Sequence, residues 1–233
     1  MSDVGVAVIV AVVAFTLFGL GRFAEIMRKH RDHQDRAENG FSEAEVEASA
    51  SEARTTVWFV VRAQDPREVA RVLGLRTVQP VAFEVGMQRA RTGMFVAPCG
   101  KAFVMAIGLD AWQRGDLSQV EAALVRLSKA HGEAFWFVVD EERSCVGWAM
   151  ARRGELQRAF CFHGSDEEVL WEVGEPTQAE RELGFFVEDP RDLTDDELKW
   201  WPLPRDVRSL AARWSIDPSR LSEPGQPGLA GRW

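Results

Sequence analysis

Val4 to Gly21, "VGVAVIVAVVAFTLFGLG", is 18 residues without a charge, and no other feature restricts the chain's architecture as strongly. At 1.5 Å per residue a helix of that length spans about 27 Å, close to the hydrocarbon thickness of a bilayer. A buried core helix normally carries polar breaks on one face. Here Thr16 is the only hydroxyl in the run, and a threonine can bond back to its own preceding turn. A cleaved secretory signal needs a cationic n-region and a small-x-small cleavage site. The chain has Met-Ser-Asp before the run and Gly-Arg-Phe-Ala-Glu-Ile-Met around its end. The expectation is an uncleaved single transmembrane helix over residues 1–21. Arg22, Arg28, Lys29, Arg31 and Arg36 follow it, against Asp3 on the other side. Lys and Arg beside a span stay cytoplasmic, so the large C-terminal part is expected in the cytosol.

Residues 22–53 read as a tether. A mixed-charge juxtamembrane helix (22–36) leads into "AENGFSEAEVEASASEA", where five Glu and no cation favour a solvated chain. From residue 54 the pattern changes. "TTVWFVVR" is a β-branched and aromatic strand signal. "DPREVARVLG" is a punctuated helix with Asp65 at the N-cap, Pro66 at N1, Glu68 at N3 and Gly74 past the end. Its inward stripe should be Val69, Val72 and Leu73. "PVAFEVGMQRA" and "GMFVAPCGKAFVMAIGL" read as strands, the second a hairpin turning at Pro98-Cys99-Gly100-Lys101. "DLSQVEAALVRLSKAHG" repeats the helix grammar, capped by Asp116, boxed by Gln119, closed by Gly132, with Val120, Leu124 and Leu127 inward. Four strand signals then follow with short separators: "AFWFVVDEE", "SCVGWAMARRG", "ELQRAFCFHG" and "EVLWEVG". Such spacing makes antiparallel neighbours. "PTQAERELG" carries a Thr177/Glu180 capping box, and "LTDDELKWW" opens in the same way with Thr194 and Glu197. "RDVRSLAARWSI" places Val207, Leu210, Ala211 and Trp214 on one helical face. Residues 222–233, rich in Gly and Pro, read as a loose tail. The fold class is therefore α+β: one globular domain over 54–221 with a largely antiparallel sheet and helices packed on it. Nine Trp and fourteen Phe without a single Tyr predict an aromatic core.

Chemistry-bearing motifs are missing. There is no G-x-x-x-x-G-K-[ST], G-x-G-x-x-G, G-x-S-x-G or H-E-x-x-H. Cys99, Cys145 and Cys161 form no C-x-x-C pair, and an odd number does not make a disulfide framework. They read as small buried hydrophobes in strands. Cys161 and His163 would share a strand face, the one Cys/His juxtaposition worth testing as a nucleophile and base. His30 and His33 lack further ligands nearby, and His131 precedes a helix-ending Gly. No motif points to an enzyme, a cofactor or a metal, and a missing motif does not by itself exclude an enzyme.

Charge is the remaining signal. Residues 54–163 hold 15 basic and 11 acidic side chains, whereas 164–197 hold 13 acidic and 2 basic, a net of −11. One reading makes these carboxylates helix caps and solvated loops. The other makes them a negative patch for a basic protein partner, with Glu188, Asp189, Asp192, Asp195 and Asp196 as its charge and Trp200 and Trp201 as aromatic anchors. The same field repels phosphates, so nucleic acid is not an expected ligand.

The segments "VGEPTQAERELGFFVED" and "SLAARWSIDPSRL" resemble uncharacterised bacterial proteins, some of them similar to the immunity proteins that accompany polymorphic or secreted toxins in interbacterial competition. The likeness covers the C-terminal half and brings no functional residues with it. It implies a binding module that neutralises a toxin by occlusion, here held at a bacterial inner membrane with its domain in the cytoplasm. The alternative from the anchor and tether alone is a membrane-tethered adaptor for a cytosolic assembly.

Overall fold

A strand whose apolar residues follow one another without alternation must be covered on both faces. Thr55–Val61 (β1) shows this directly: Val57, Phe59 and Val61 enter one buried cluster, while Trp58 and Val60 enter another. Glu133–Asp140 (β5) and Cys145–Arg152 (β6) are buried almost throughout in the same two-sided way. A computed structural model of the protein describes residues 55–108, 116–166, 168–186, 202–216 and 227–233. The remaining strands are Arg76–Val81 (β2), Met94–Cys99 (β3), Phe103–Ile107 (β4), Glu155–His163 (β7), Glu168–Val173 (β8) and Gly228–Arg232 (β9). They form one nine-stranded sheet in the order β2-β9-β3-β4-β1-β5-β6-β7-β8, and every neighbouring pair is antiparallel. The α+β class with a largely antiparallel sheet follows. Arg54–Trp233 makes one compact unit.

Helices close both faces. On the first lie Pro66–Leu73 (α1) and Leu117–His131 (α3), α1 over β3, β4 and β9, α3 over β5, β6 and β7. On the second lie Phe83–Arg89 (α2) against β3 and β9, and Pro204–Trp214 (α5) against β5 and β6, with the short Gln178–Glu182 (α4) beside α5. Local chemistry starts and stops these helices. The Arg67 N–H donates to Asp65 Oδ1 (2.9 Å), and Gly74 ends α1 in the left-handed region at φ +79°. The Ser118 N–H donates to Asp116 Oδ1 (3.1 Å), and the Gln119 amide donates through Nε2 to the other carboxylate oxygen (2.9 Å) instead of accepting the N-cap backbone N–H. The Ser118 hydroxyl also donates to Asp116 and holds that carboxyl below its usual pKa. Between β6 and β7, Arg153 (φ +51°) and Gly154 (φ +88°) make the two-residue turn with both φ positive that suits twisted hairpins.

Three expectations are corrected. Residues 83–89 are helix α2, not strand. Their every-second-residue pattern left Val85 and Met87 exposed, while Phe83, Gly86 and Ala90 form a helical stripe whose small members do not register as apolar. Gly86 lies so close to the Phe95 ring that a Cβ there would overlap it. The C-terminal residues 228–232 are strand β9 between β2 and β3, not part of a loose tail, so the sheet is completed by chain beyond the expected boundary at 221. Gly228 abuts the Phe95 ring, and Trp233 meets Phe59 edge-on at 6.0 Å. The glycines that made this segment look loose allow the close approach. In α1 the third buried residue is Ala70, with Val72 only half-buried.

No helix among the described residues is long and apolar enough to cross a membrane. The expected anchor at 1–21, the tether at 22–53 and the helix start at Thr194 all lie outside the described residues.

Candidate functional site

The expected partner-binding residues Glu188, Asp189, Asp192, Asp195, Asp196, Trp200 and Trp201 lie outside the described residues. Both ends of the chain that carries them are described, and both are fixed on the second face of the sheet. On the entering side, Phe185 packs against Trp148 with ring centroids 5.2 Å apart, and Phe186 meets Phe160 edge-on at 4.8 Å. On the returning side, α5 lays Trp214 against Phe135 (6.1 Å) and Phe137 (6.0 Å).

A buried ionic knot secures the entering side. Glu180 is fully buried at the start of α4, and its Oε1 accepts from Trp148 Nε1 (2.7 Å) on β6 and Arg158 Nε (2.9 Å) on β7. Its Oε2 accepts the Thr177 backbone N–H (2.6 Å), while the Thr177 hydroxyl accepts from the Glu180 N–H (3.3 Å), which completes the capping box. Arg158 is 1% exposed, so its charge depends on its neighbours. Nη1 donates to the carbonyls of Gly174 (2.9 Å) and Val173 (3.3 Å), and Glu172 lies 3.8 Å away. The guanidinium also stands over the rings of Phe186 (4.8 Å) and Phe160 (5.8 Å). Nη2 has no acceptor among the described residues.

The acidic block therefore divides. Glu180 is internal framework. Glu182 bonds Arg213 (2.5 Å) on α5 and accepts from Gln178 (2.8 Å). With Ala179 these residues line a broad open depression of about 570 Å³. Asp166 meets His163 Nδ1 at 2.9 Å. Glu168, Glu172 and Glu175 are exposed on and just after the last strand of the sheet. Among the described carboxylates the capping interpretation holds for Glu180, while Glu168, Glu172 and Glu175 face solvent.

The Cys/His juxtaposition does not make a nucleophile. Cys161 is buried in the first-face core with its Sγ 3.6 Å from that of Cys145. The hydrogen bond with Cys145, together with burial, pushes its thiol pKa far up, the opposite of what attack by a thiolate needs. His163 turns to Asp166 instead. All three cysteines are buried and unbridged, and no group of three or more His, Cys, Asp or Glu among the described residues could hold a metal.

Two features escaped the sequence reading. Arg158 sits mid-strand at the same alternation as Phe160 and Phe162, which is the signature of a buried charge in need of a partner. On β8, Val169 and Leu170 are exposed side by side (47% and 40%). The ladder with β7 shifts register there, pairing Trp171 with Cys161 and Val169 with Phe162, so Leu170 is the extra residue of a bulge. No protein-family model matches the chain, no curated protein matches it, and no solved structure matches it.

Proposed function

We propose that the chain is a membrane-anchored protein-binding module of immunity type, which neutralises a basic toxin by covering its working surface. The observation that carries this reading is the concentration of 13 carboxylates against 2 cations in residues 164–197, rooted in a sheet through the buried Glu180–Arg158 pair. A flexible acidic tail would attract a basic partner but would lose much of the gain to ordering. Fixing both ends of the segment on one face reduces that loss. The resemblance that "VGEPTQAERELGFFVED" and "SLAARWSIDPSRL" bear to immunity-related bacterial proteins would imply the same role. The apolar run 4–21 and the cations behind it support a single-pass anchor in the inner membrane with the domain in the cytoplasm.

Sequencing of the genes beside this one, then co-expression with any toxin found there and affinity capture, tests the proposal. Protection and a stoichiometric complex are the expected results; the absence of both would refute it. External protease added to spheroplasts tests the placement, since a cytoplasmic domain survives and an exported one is digested. A tethered adaptor is the second reading, favoured by the anchor and the acidic tether. The two part on deletion of residues 1–36: an adaptor stops working while still binding, whereas an occluding module still protects.

A further inference from the structure

We infer that the outer edge of β8 is a docking strand for an extended basic segment of the partner, which joins the sheet as a tenth strand. This rests on the protein-binding reading and locates part of its contact surface. The sheet ends at β2 and β8, and an edge strand offers a row of backbone N–H and C=O groups to any chain that can pair with them. The two ends differ. β2 contains Pro80, which has no N–H, places Thr77 at φ +55°, and meets β9 with an irregular register; an added strand would find a broken ladder there. β8 has no proline, and no described residue pairs with its outer side. Its bulge at Leu170 turns Val169 and Leu170 outward together, an apolar step that a soluble surface does not need.

Charge selects the occupant. Glu168 and Glu172 bracket the aliphatic step, and the His163–Asp166 pair lies at the strand's start. A second β8 edge would bring carboxylates against carboxylates, so the edge turns away its own copies. The register sets Glu168 on one face of β8 and Val169 on the other, so a strand with Lys or Arg alternating with aliphatic residues brings its cations to Glu168 and lays its apolar side chains on Val169 and Leu170. Backbone bonds then supply register and affinity, and the side chains supply selection, as in other strand-addition complexes.

The test uses the full-length protein in detergent and a labelled peptide of alternating Val and Lys, with a proline-interrupted peptide and an alternating Val–Glu peptide as controls. Fluorescence anisotropy should show binding of the Val–Lys peptide alone, and amide exchange should slow at residues 168–173. Val169→Lys should weaken binding about tenfold, and Glu168→Lys should weaken it in a salt-dependent way. Val78→Lys on the opposite edge should change nothing, and circular dichroism checks that each variant is folded. Equal binding of the proline-interrupted peptide would reduce the effect to bulk charge and overturn the inference. So would unchanged affinity in Val169→Lys, or sedimentation showing β8-dependent self-association. If both β8 variants still capture and neutralise the toxin, this inference falls while the immunity reading stands.

Discussion

Replacing Glu180 by alanine removes one carboxylate that three donors share: Trp148 Nε1 at 2.7 Å, Arg158 Nε at 2.9 Å and the Thr177 N–H at 2.6 Å. Both partners of the ion pair are buried, at 0% and 1% exposure, so Arg158 would stay charged in the interior. Removing one member of such a pair costs about 3–5 kcal/mol, and the orphaned Trp148 N–H would add about 1–3 kcal/mol if nothing replaced the carboxylate. The two do not sum, because Glu172 at 3.8 Å and the carbonyls of Val173 and Gly174 still hold part of the guanidinium charge. The net loss should be about 3–5 kcal/mol, a large share of the roughly 5–15 kcal/mol that separates a domain from its unfolded chain. Urea unfolding followed by tryptophan emission should show the midpoint falling by roughly 1–2 M with little change in slope. The double variant Arg158→Met/Glu180→Leu should recover a good part of the loss, since it leaves no unpaired charge. A Glu180→Ala protein within about 1 kcal/mol of the parent would refute the view that this pair secures the acidic segment, as would strict additivity in the double variant.

Three smaller perturbations read other parts of the structure. Cys161, buried with its thiol pKa pushed up by Cys145 and burial, should resist aromatic disulfide reagents at pH 8 in the native protein and react once unfolded, together with Cys99 and Cys145. Rapid native labelling of Cys161 would contradict the packing. Asp116 keeps its carboxyl below the usual range through the Ser118 hydroxyl, so its contribution is present above its unfolded pKa and lost as pH falls through the folded one. Asp116→Asn should therefore lower the melting temperature at pH 7 and matter less at pH 3; an equal effect at both pH values would oppose the assignment. Gly86→Ala gains about 1 kcal/mol of helix propensity but must displace the Phe95 ring, for a loss of about 1–3 kcal/mol. A stabilised variant in thermal melts would show that the α2–β3 contact is looser than described.

Features set by neighbours along the chain were legible, and those set by distant partners were not. Asp65, Asp116 and Thr177 announce their helices because a cap is a bond spanning two or three residues. The meander from β5 to β8 was readable because its separators permit little except antiparallel pairing. Helix α2 and strand β9 were misread for a common reason. Their contacts are made by Gly86, Ala90 and Gly228, whose value lies in what they leave out, and only the position of the Phe95 ring reveals it. The role of Glu180 was half visible: the capping box is local, whereas its bonds to Trp148 and Arg158 cross 32 and 22 residues of sequence. Composition located the acidic segment but could not separate Glu180, which is framework, from Glu168 and Glu172, which face water.

The central claim is that the acidic segment meets the partner. Converting Glu188, Asp189, Asp192, Asp195 and Asp196 to their amides removes five charges from residues 164–197, all on chain beyond the buried pair. In cells expressing the toxin that the proposed function requires, the account predicts that this amide variant, folded and present at normal levels, no longer protects, and that capture of the toxin by the parent weakens as salt rises. Full protection by the variant would contradict it.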